Sequence, residues 1–184
     1  MFIQSDTAKG KILSSTTSYT GHIFKVTNHQ VQTPDGLTVQ RDLIEHAPAV
    51  ALLAITDDDQ VLVNREYRIG INAEAYALPA GLINAGETPL QAAKRELEEE
   101  TGYLAQSLTP LCAVRSSEGM TDEVVHLFLA SVDRDKHVAK HFDQDEFVTS
   151  EFVPLNEVLE AVKDGRIASA QSVSAISYYM AFVR

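Results

Sequence analysis

The sequence has almost no cysteine, no long apolar run and a shortage of positive charge, and each shortage excludes a class of protein. A single cysteine, Cys112, stands among the 184 residues, so an internal disulfide framework is excluded and this cysteine is interpreted as a small core residue. No apolar segment approaches the ~20 residues that a membrane-spanning helix needs. The opening residues, MFIQSDTAKG, lack the basic and apolar regions of a secretion signal. We therefore expect a cytoplasmic protein.

Acidic residues outnumber basic ones by 26 to 15, which gives a formal net charge of −11. Nucleic acids and anionic membranes bind basic surfaces, so neither is expected as a partner. An anionic substrate would need local cations, from a metal or from arginines, to overcome the repulsion.

The rest of the composition is that of a globular protein, with 45% hydrophobic and 22% charged residues and no repeat or Pro/Gly-rich linker. Residues 21–46 predict two strands joined at Pro34-Asp35-Gly36. Further strands are predicted at AVALLAIT and QVLVNREY, joined by an aspartate turn, and at AYALPAG, LTPLCAV, EVVHLFLA and FVTSEFVPL. Helical spacing appears in LNEVLEAVKDG and ASAQSVSAISYYMAFV. Without regular βαβ alternation, this order favours an α+β fold or an α/β sandwich.

A further helix is predicted inside GLINAGETPLQAAKRELEEETGY, which is Gly81–Tyr103. Thr88 suits the N-cap, Pro89 the first helical position and Gln91 the capping box, while Gly102 suits the residue that ends the helix. The apolar stripe predicted to face the core consists of Leu90, Ala93 and Leu97.

The same helix gathers negative charge near its C-terminus, where the helix dipole is already negative. Glu96, Glu99 and Glu100 fall within an arc of about 100°, and Glu98 points roughly the opposite way. One interpretation is a solvated acidic face that neighbouring basic residues partly neutralise. The other is a site for a hard divalent cation such as Mg²⁺ or Mn²⁺, which clustered carboxylate oxygens suit.

The spacing of this stretch decides between the two. The stretch resembles the Nudix box at every fixed position: Gly81, five residues, Glu87, seven residues and then REL-x-EE-x-G. Only Tyr103 departs, because the family usually has an aliphatic residue there. The resemblance implies a Nudix hydrolase, with an α/β/α sandwich, a mixed sheet and a loop–helix–loop that binds divalent metal. It implies as metal ligands the carboxylates of Glu96, Glu99 and Glu100 and the carbonyl of Ala80. The remaining box residues are expected to be structural: Glu87 and Arg95 hold the loop, and Gly81 and Gly102 permit tight turns.

Outside the box, most of the chain resembles the branch of ADP-ribose pyrophosphatases and nucleoside diphosphate sugar hydrolases. Dimeric members of this branch open with a small antiparallel sheet that is often exchanged between subunits. The resemblance therefore implies a homodimer, with residues 1–45 as the N-terminal sheet and 46–184 as the Nudix domain.

The resemblance also implies which residues contact the substrate. Arg41 and Arg68 are expected at the nucleotide or diphosphate, although both could be ordinary surface arginines. In the stretch RSSEGMTDEVVHLFLA, Glu123 is the expected substrate- or metal-associated acid, and Glu118, Gly119 and Met120 are expected to border the nucleotide or sugar. Glu118 replaces the proline usual in ADP-ribose pyrophosphatases, which argues against strict specificity for ADP-ribose.

The stretch HFDQDEF lies where related enzymes carry the catalytic base on an acidic loop. The candidates are Asp143, Asp145 and Glu146, with Glu146 preferred because its side chain reaches further; the alternative is a solvated turn.

These residues predict a Mg²⁺-dependent hydrolase of nucleoside diphosphate sugars, including ADP-ribose and compounds of the ADP-glucose or GDP-mannose type. Cleavage of ADP-ribose would give AMP and ribose 5-phosphate. One alternative is a catalytically silent, nucleotide-sensing Nudix domain, against which the complete box carboxylates argue. Another is a hydrolase of nucleoside triphosphates or mRNA caps, which the predicted N-terminal strands disfavour.

Overall fold

The computed structural model describes residues 7–139 and 148–184. Its internal contacts divide the chain into two compact units. The N-terminal unit comprises the described residues of Met1–Ala47 together with Ser117–Glu123, and the main unit comprises Pro48–Ser116 and the described residues of Val124–Arg184. The division predicted from sequence placed Ser117–Glu123 with the larger domain, whereas its contacts place it with the N-terminal strands.

The N-terminal unit is a three-stranded antiparallel sheet in the order β1-β2-β3. Its strands are β1 (Lys11–Thr20), β2 (Phe24–Gln32) and β3 (Thr38–His46). The turn between β2 and β3 lies at the predicted Pro34-Asp35-Gly36, and Gly36 has a φ of 89°, which glycine adopts without steric cost. Every residue of β1 is exposed, and the buried side chains of β2 include the polar Thr27 and His29.

The main unit is built on a mixed sheet of seven strands. They are β4 (Ala49–Ile55), β5 (Gln60–Arg68), β6 (Ala73–Ala77), β7 (Ala80–Leu82), β8 (Tyr103–Arg115), β9 (Val124–His137) and β10 (Thr149–Pro154). The order is β10-β5-β4-β9-β8, with β6 paired to β5 and β7 to β4. Only the β4–β9 pair among these described strands is parallel, so the mixed sheet that the resemblance implied is confirmed.

Helices cover both faces of this sheet. They are α1 (Pro89–Thr101), α2 (Leu155–Lys163) and α3 (Ala170–Phe182). Val50, Leu52 and Ala54 of β4 share a core cluster with residues of α1, and the alternate residues of β4 share a second cluster with residues of α2 and α3. A strand that is covered on both faces is apolar throughout, which is why all seven residues of β4 are buried. The α/β/α sandwich is confirmed.

Helix α1 has the predicted ends but a different buried face. The Thr88 hydroxyl accepts the N–H of Gln91, the Gln91 side chain accepts the N–H of Thr88 at 2.9 Å, and Gly102 ends the helix in the left-handed region with a φ of 76°. Leu90 is 49% exposed, so its assignment to the core-facing stripe is wrong. The buried face is rotated towards the acidic residues Glu96 and Glu100.

Among the residues that the structure describes, none of the helices has the length and apolarity that crossing a bilayer would require. Cys112 lies in β8, half-buried against the core, and burial raises the pKa of its thiol. Its surroundings are those of the small core residue expected from the sequence.

Candidate active site

The loop that joins β7 to α1 is attached to the sheet. Gly81 of β7 pairs with Val50 of β4. The N–H of Ile83 then donates to the carbonyl of Pro48 at 2.9 Å. Gly86 turns the chain with a φ of 86°, a value that residues other than glycine rarely adopt. The loop that leads into α1 is thereby fixed to the beginning of β4.

Arg95 is the centre of the acidic cluster on α1. Its Nε and Nη2 donate to the two carboxylate oxygens of Glu87 at 2.8 and 2.9 Å. Its Nη1 donates to Glu96 at 2.6 Å and to Glu99 at 2.9 Å. Nη2 also donates to the Leu82 carbonyl at 2.9 Å. One guanidinium therefore joins three carboxylates of the box to the backbone of β7.

These contacts strengthen the charged state of both partners. Hydrogen bonds from Arg95, and then one from the Asn84 N–H, lower the pKa of Glu87 to about 2. Hydrogen bonds with Glu87 first, and then with its other carboxylate partners, raise the pKa of Arg95 above its already high value. The pair stays ionised at any pH at which the protein would work.

Gly81 makes room for the carboxylate of Glu96, which is 9% exposed. A Cβ at position 81 would lie 2.1 Å from Glu96 Cδ, far inside van der Waals contact. The sequence led us to expect a tight turn at both box glycines. Gly102 does have a positive φ, but Gly81 does not, so glycine is required at 81 for space rather than for backbone conformation.

Glu100 is 6% exposed and is held from two other elements. Its Oε2 accepts from Asn64 Nδ2 at 2.9 Å and from the Ala80 N–H at 3.1 Å. The Oδ1 of Asn64 in turn accepts from the hydroxyl of Ser150 in β10 at 2.8 Å. Asn64 and Ser150 were missed from the sequence, where the only signal was a polar residue directly after the apolar run VLV in a strand predicted to be buried.

Glu99 is the most open of the three expected metal ligands, with 43% of its side chain exposed. Glu98 is half-buried and lines a recess along α1 together with Gln91, Lys94, Arg95 and Glu99. Across residues 7–139 and 148–184, no three or more acidic, histidine or cysteine side chains are arranged to hold a metal ion in this structure. In the arrangement seen, Arg95 joins Glu96 to Glu99.

Arg68 lies at the end of β5, two residues beyond Glu66 on the same face of the strand. Its Nη2 contacts Glu66 Oε2 at 2.7 Å, and half of its side chain is exposed. Burial raises the pKa of Glu66, while the Arg68 charge acts in the opposite direction. Arg68 belongs to the same unit as the box.

The other expected substrate contacts belong to the N-terminal unit: Arg41, Glu118, Gly119, Met120 and Glu123. Within that unit the Met120 carbonyl accepts the N–H of Ile44 at 2.8 Å, and Glu123 lies 3.4 Å from His46 Nδ1. Arg41 is exposed on β3, and Glu118 and Gly119 are exposed as well. The three candidate bases, Asp143, Asp145 and Glu146, lie outside the described residues.

Comparison with protein families gives a match to the NUDIX domain over residues 45–174, more than two thirds of the chain. The chain belongs to the Nudix hydrolase family. The resemblance to this family that the sequence indicated is thus confirmed.

Individual relatives cover nearly the whole of this Nudix chain. It is 34% identical over 168 residues to an ADP-ribose pyrophosphatase of Bacillus subtilis, and the aligned residues cover 91% of each chain. It is equally similar, at 34% over 168 residues and 91% of each chain, to a methanol dehydrogenase activator of Bacillus methanolicus. A crystal structure of an ADP compounds hydrolase superimposes with a TM-score of 0.81 at 24% identity, over 96% of this chain and 95% of the other, and shows the same fold.

Proposed function

We propose that this Nudix hydrolase cleaves the diphosphate bond of nucleoside diphosphate sugars, including ADP-ribose, in a reaction that depends on Mg²⁺ or Mn²⁺. The observation that carries the proposal is the complete set of box carboxylates on one side of α1, next to Ala80 and organised by Arg95. The similarity to an ADP-ribose pyrophosphatase over 91% of the chain supports this substrate class. ADP-ribose would give AMP and ribose 5-phosphate, and substrates of the ADP-glucose or GDP-mannose type would give a nucleoside monophosphate and a sugar phosphate.

The residues present fit a hard divalent cation. Glu96, Glu99 and Glu100 with the Ala80 carbonyl offer only oxygen donors, which Mg²⁺ and Mn²⁺ prefer. When bound, the cation neutralises diphosphate charge and lowers the pKa of an attacking water. In this proposal Glu87 and Arg95 keep the loop in place and Arg95 aligns Glu96 and Glu99, while Gly81 leaves the space that Glu96 occupies.

The remaining roles follow the chemistry of the substrate. Arg68, and Arg41 from the N-terminal unit, supply positive charge for the diphosphate or the nucleotide on a protein whose net charge is −11. Glu123 serves the substrate or the metal. Glu118, Gly119 and Met120 border the nucleoside or the sugar, where a carboxylate accepts hydrogen bonds from hydroxyl or amino groups without facing the diphosphate.

A carboxylate takes the proton from the attacking water. The candidates for this base are Asp143, Asp145 and Glu146, and Glu146 is preferred for its reach. Separate alanine substitutions would identify it, because loss of the base lowers kcat and flattens the acidic limb of the pH–rate profile, whereas loss of a surface charge does neither.

A homodimer is part of the same proposal. The three-stranded sheet of the N-terminal unit has an outer strand, β1, that is exposed along its whole length, and so small a sheet gains stability by packing on another surface. Sedimentation equilibrium over a wide concentration range should give twice the chain mass of 20.2 kDa. A monomer at all concentrations would refute the dimer and leave the proposed reaction intact.

A substrate panel tests the reaction itself. Hydrolysis of ADP-ribose, ADP-glucose, GDP-mannose, CDP-choline and dGTP would be measured with Mg²⁺, with Mn²⁺ and with chelator. We expect diphosphate sugars to be cleaved best and chelator to abolish cleavage. A preference for dGTP would favour a nucleoside triphosphate hydrolase instead, and absence of cleavage with either metal would favour a silent nucleotide-sensing domain.

The similarity to a methanol dehydrogenase activator favours a second candidate, in which the chain acts on a dehydrogenase partner. The test adds the chain, wild type or Glu99→Gln, to a methanol dehydrogenase and measures the turnover of that enzyme. Stimulation by the wild type alone would join this role to hydrolysis, and stimulation by both proteins would show a role in binding only.

A further inference from the structure

A buried amide side chain stands in the middle of the apolar sheet. Asn64 follows Val61, Leu62 and Val63, all buried, along β5, and is itself only 3% exposed. Burying an amide costs free energy unless its polar atoms find partners. The identity of those partners therefore shows why asparagine stands at this position.

Both polar ends of the Asn64 amide are engaged. Nδ2 lies 2.9 Å from Glu100 Oε2, and Oδ1 lies 2.8 Å from Ser150 Oγ. Oε2 of Glu100 also accepts the Ala80 N–H, so the amide presents its NH₂ group to this acceptor and its oxygen to the Ser150 hydroxyl. The chemistry of the two neighbours thereby fixes the orientation of the amide.

Ser150 is placed for this contact by the sheet. It lies directly opposite Asn64 in the antiparallel β5–β10 register, so the two side chains project from the same face. The Ser150 hydroxyl is also 3.5 Å from the Glu100 carbonyl, but the 2.8 Å contact with Asn64 has the better hydrogen-bond distance.

We infer that Asn64 is a positioning residue for Glu100 and that Ser150 acts through Asn64. The inference rests on the proposed function, in which Glu100 is a metal ligand. Asn64 and the Ala80 N–H donate to the same carboxylate oxygen, Oε2, from two different strands. Together they fix the direction of the Glu100 carboxylate before any cation binds, and outer contacts of this kind typically change metal affinity by about 10- to 100-fold.

The test measures Mn²⁺ binding to the metal-free protein, with unbound Mn²⁺ followed by electron paramagnetic resonance. We expect Asn64→Leu, whose side chain has the same number of heavy atoms and the same branching at Cγ, to raise the Kd for Mn²⁺ about 10- to 100-fold. Ser150→Ala should raise it by about 2- to 10-fold, as the loss of one neutral hydrogen bond would. Because Ser150 acts through Asn64, the double variant should bind Mn²⁺ within about twofold of Asn64→Leu alone.

Ser131→Ala is the matched control. Ser131 is also a half-buried strand serine whose hydroxyl contacts an amide oxygen, that of Gln106 at 3.3 Å, and it is not part of the box. It should leave the Kd for Mn²⁺ unchanged. Circular dichroism would show whether Asn64→Leu folds. If it does not, the inference is tested by comparing the Kd for Mn²⁺ of Ser150→Ala with that of Ser131→Ala.

The outcomes separate the inference from the function on which it rests. Wild-type protein that binds no Mn²⁺ would overturn the proposed function and this inference with it. Wild-type binding that Asn64→Leu leaves within twofold would overturn the inference alone. Equal effects of Ser150→Ala and Ser131→Ala, or additive effects in the double variant, would overturn the role of Ser150.

Discussion

The acidic residues of the box are held in two different ways. On one side, Arg95 donates to Glu87, Glu96 and Glu99 from a single charged guanidinium. On the other side, Glu100 accepts from the neutral amide of Asn64 and from a backbone N–H. The charged side offsets the repulsion between carboxylates, and the neutral side fixes the direction of one of them. Variants that separate these two effects sharpen the comparison.

The largest loss of activity is expected at Glu99, whose carboxylate is held by Arg95 and is also open to solvent. Glu99→Gln should lower kcat about 100- to 1,000-fold, since the charge stabilisation that a metal supplies is worth several kcal/mol and each 1.36 kcal/mol is tenfold in rate. Glu98→Gln, one position away on α1, should change kcat less than twofold. Near-native turnover of Glu99→Gln at limiting Mg²⁺ would remove Glu99 from the metal site.

Loss of the charged centre should affect stability more than any change on the neutral side. Arg95→Ala leaves three carboxylates without their shared cation, and we expect the free energy of unfolding to fall by about 3 kcal/mol in urea denaturation. Arg95→Lys should recover only part of this, because an ammonium group cannot reproduce the planar fork. Full recovery by lysine would show that charge alone, and not geometry, holds the carboxylates.

A methyl group at position 81 should disturb the site more than the fold. Gly81→Ala places a Cβ against the Glu96 carboxylate, and overpacking of this kind costs about 1–3 kcal/mol when neighbours must move. We expect weaker Mn²⁺ binding and lower kcat while the far-UV circular dichroism spectrum is kept. Gly70→Ala is the control, since nothing lies within 4 Å of a Cβ there; equal losses in both variants would contradict the steric argument.

The smallest expected effect concerns pH. The pKa of Glu87 falls from 4.5 to about 2 in the folded protein, chiefly through Arg95, so folding favours its ionised form. This contribution is fully present above pH 4.5 and is lost as the pH falls towards 2. Melting temperatures of the wild type should therefore drop more steeply between pH 5 and 2 than those of Glu87→Gln. Parallel curves would mean that Glu87 does not couple folding to pH.

The contacts that are local in sequence were predictable, and the contacts between strands were not. The ends of α1 follow from Thr88, Gln91 and Gly102, whose capping bonds involve residues three or four positions away. The direction of the buried face of α1 depends on partners of Glu100 that are distant in the sequence. That is why Leu90 was misassigned and why Asn64 went unnoticed.

Strand pairing shows the same limit. The sequence predicted β4 and β5 as a pair around an aspartate turn, and the structure joins Ile55 to Val61 beside that turn. The longer partner of β4 is β9, which runs parallel to it from Ala49 to Ile55. A parallel partner requires a distant crossover, so no local turn signal announces it.

Arg95 also affects how the newly synthesised chain folds. Small domains that depend on a structural metal remain unfolded until the ion arrives. Here the chain brings its own cation, which already joins three carboxylates and the Leu82 carbonyl. Synthesis and folding can therefore finish in a compartment poor in divalent ions. A divalent metal would then serve the reaction and would not be needed to hold this loop on α1.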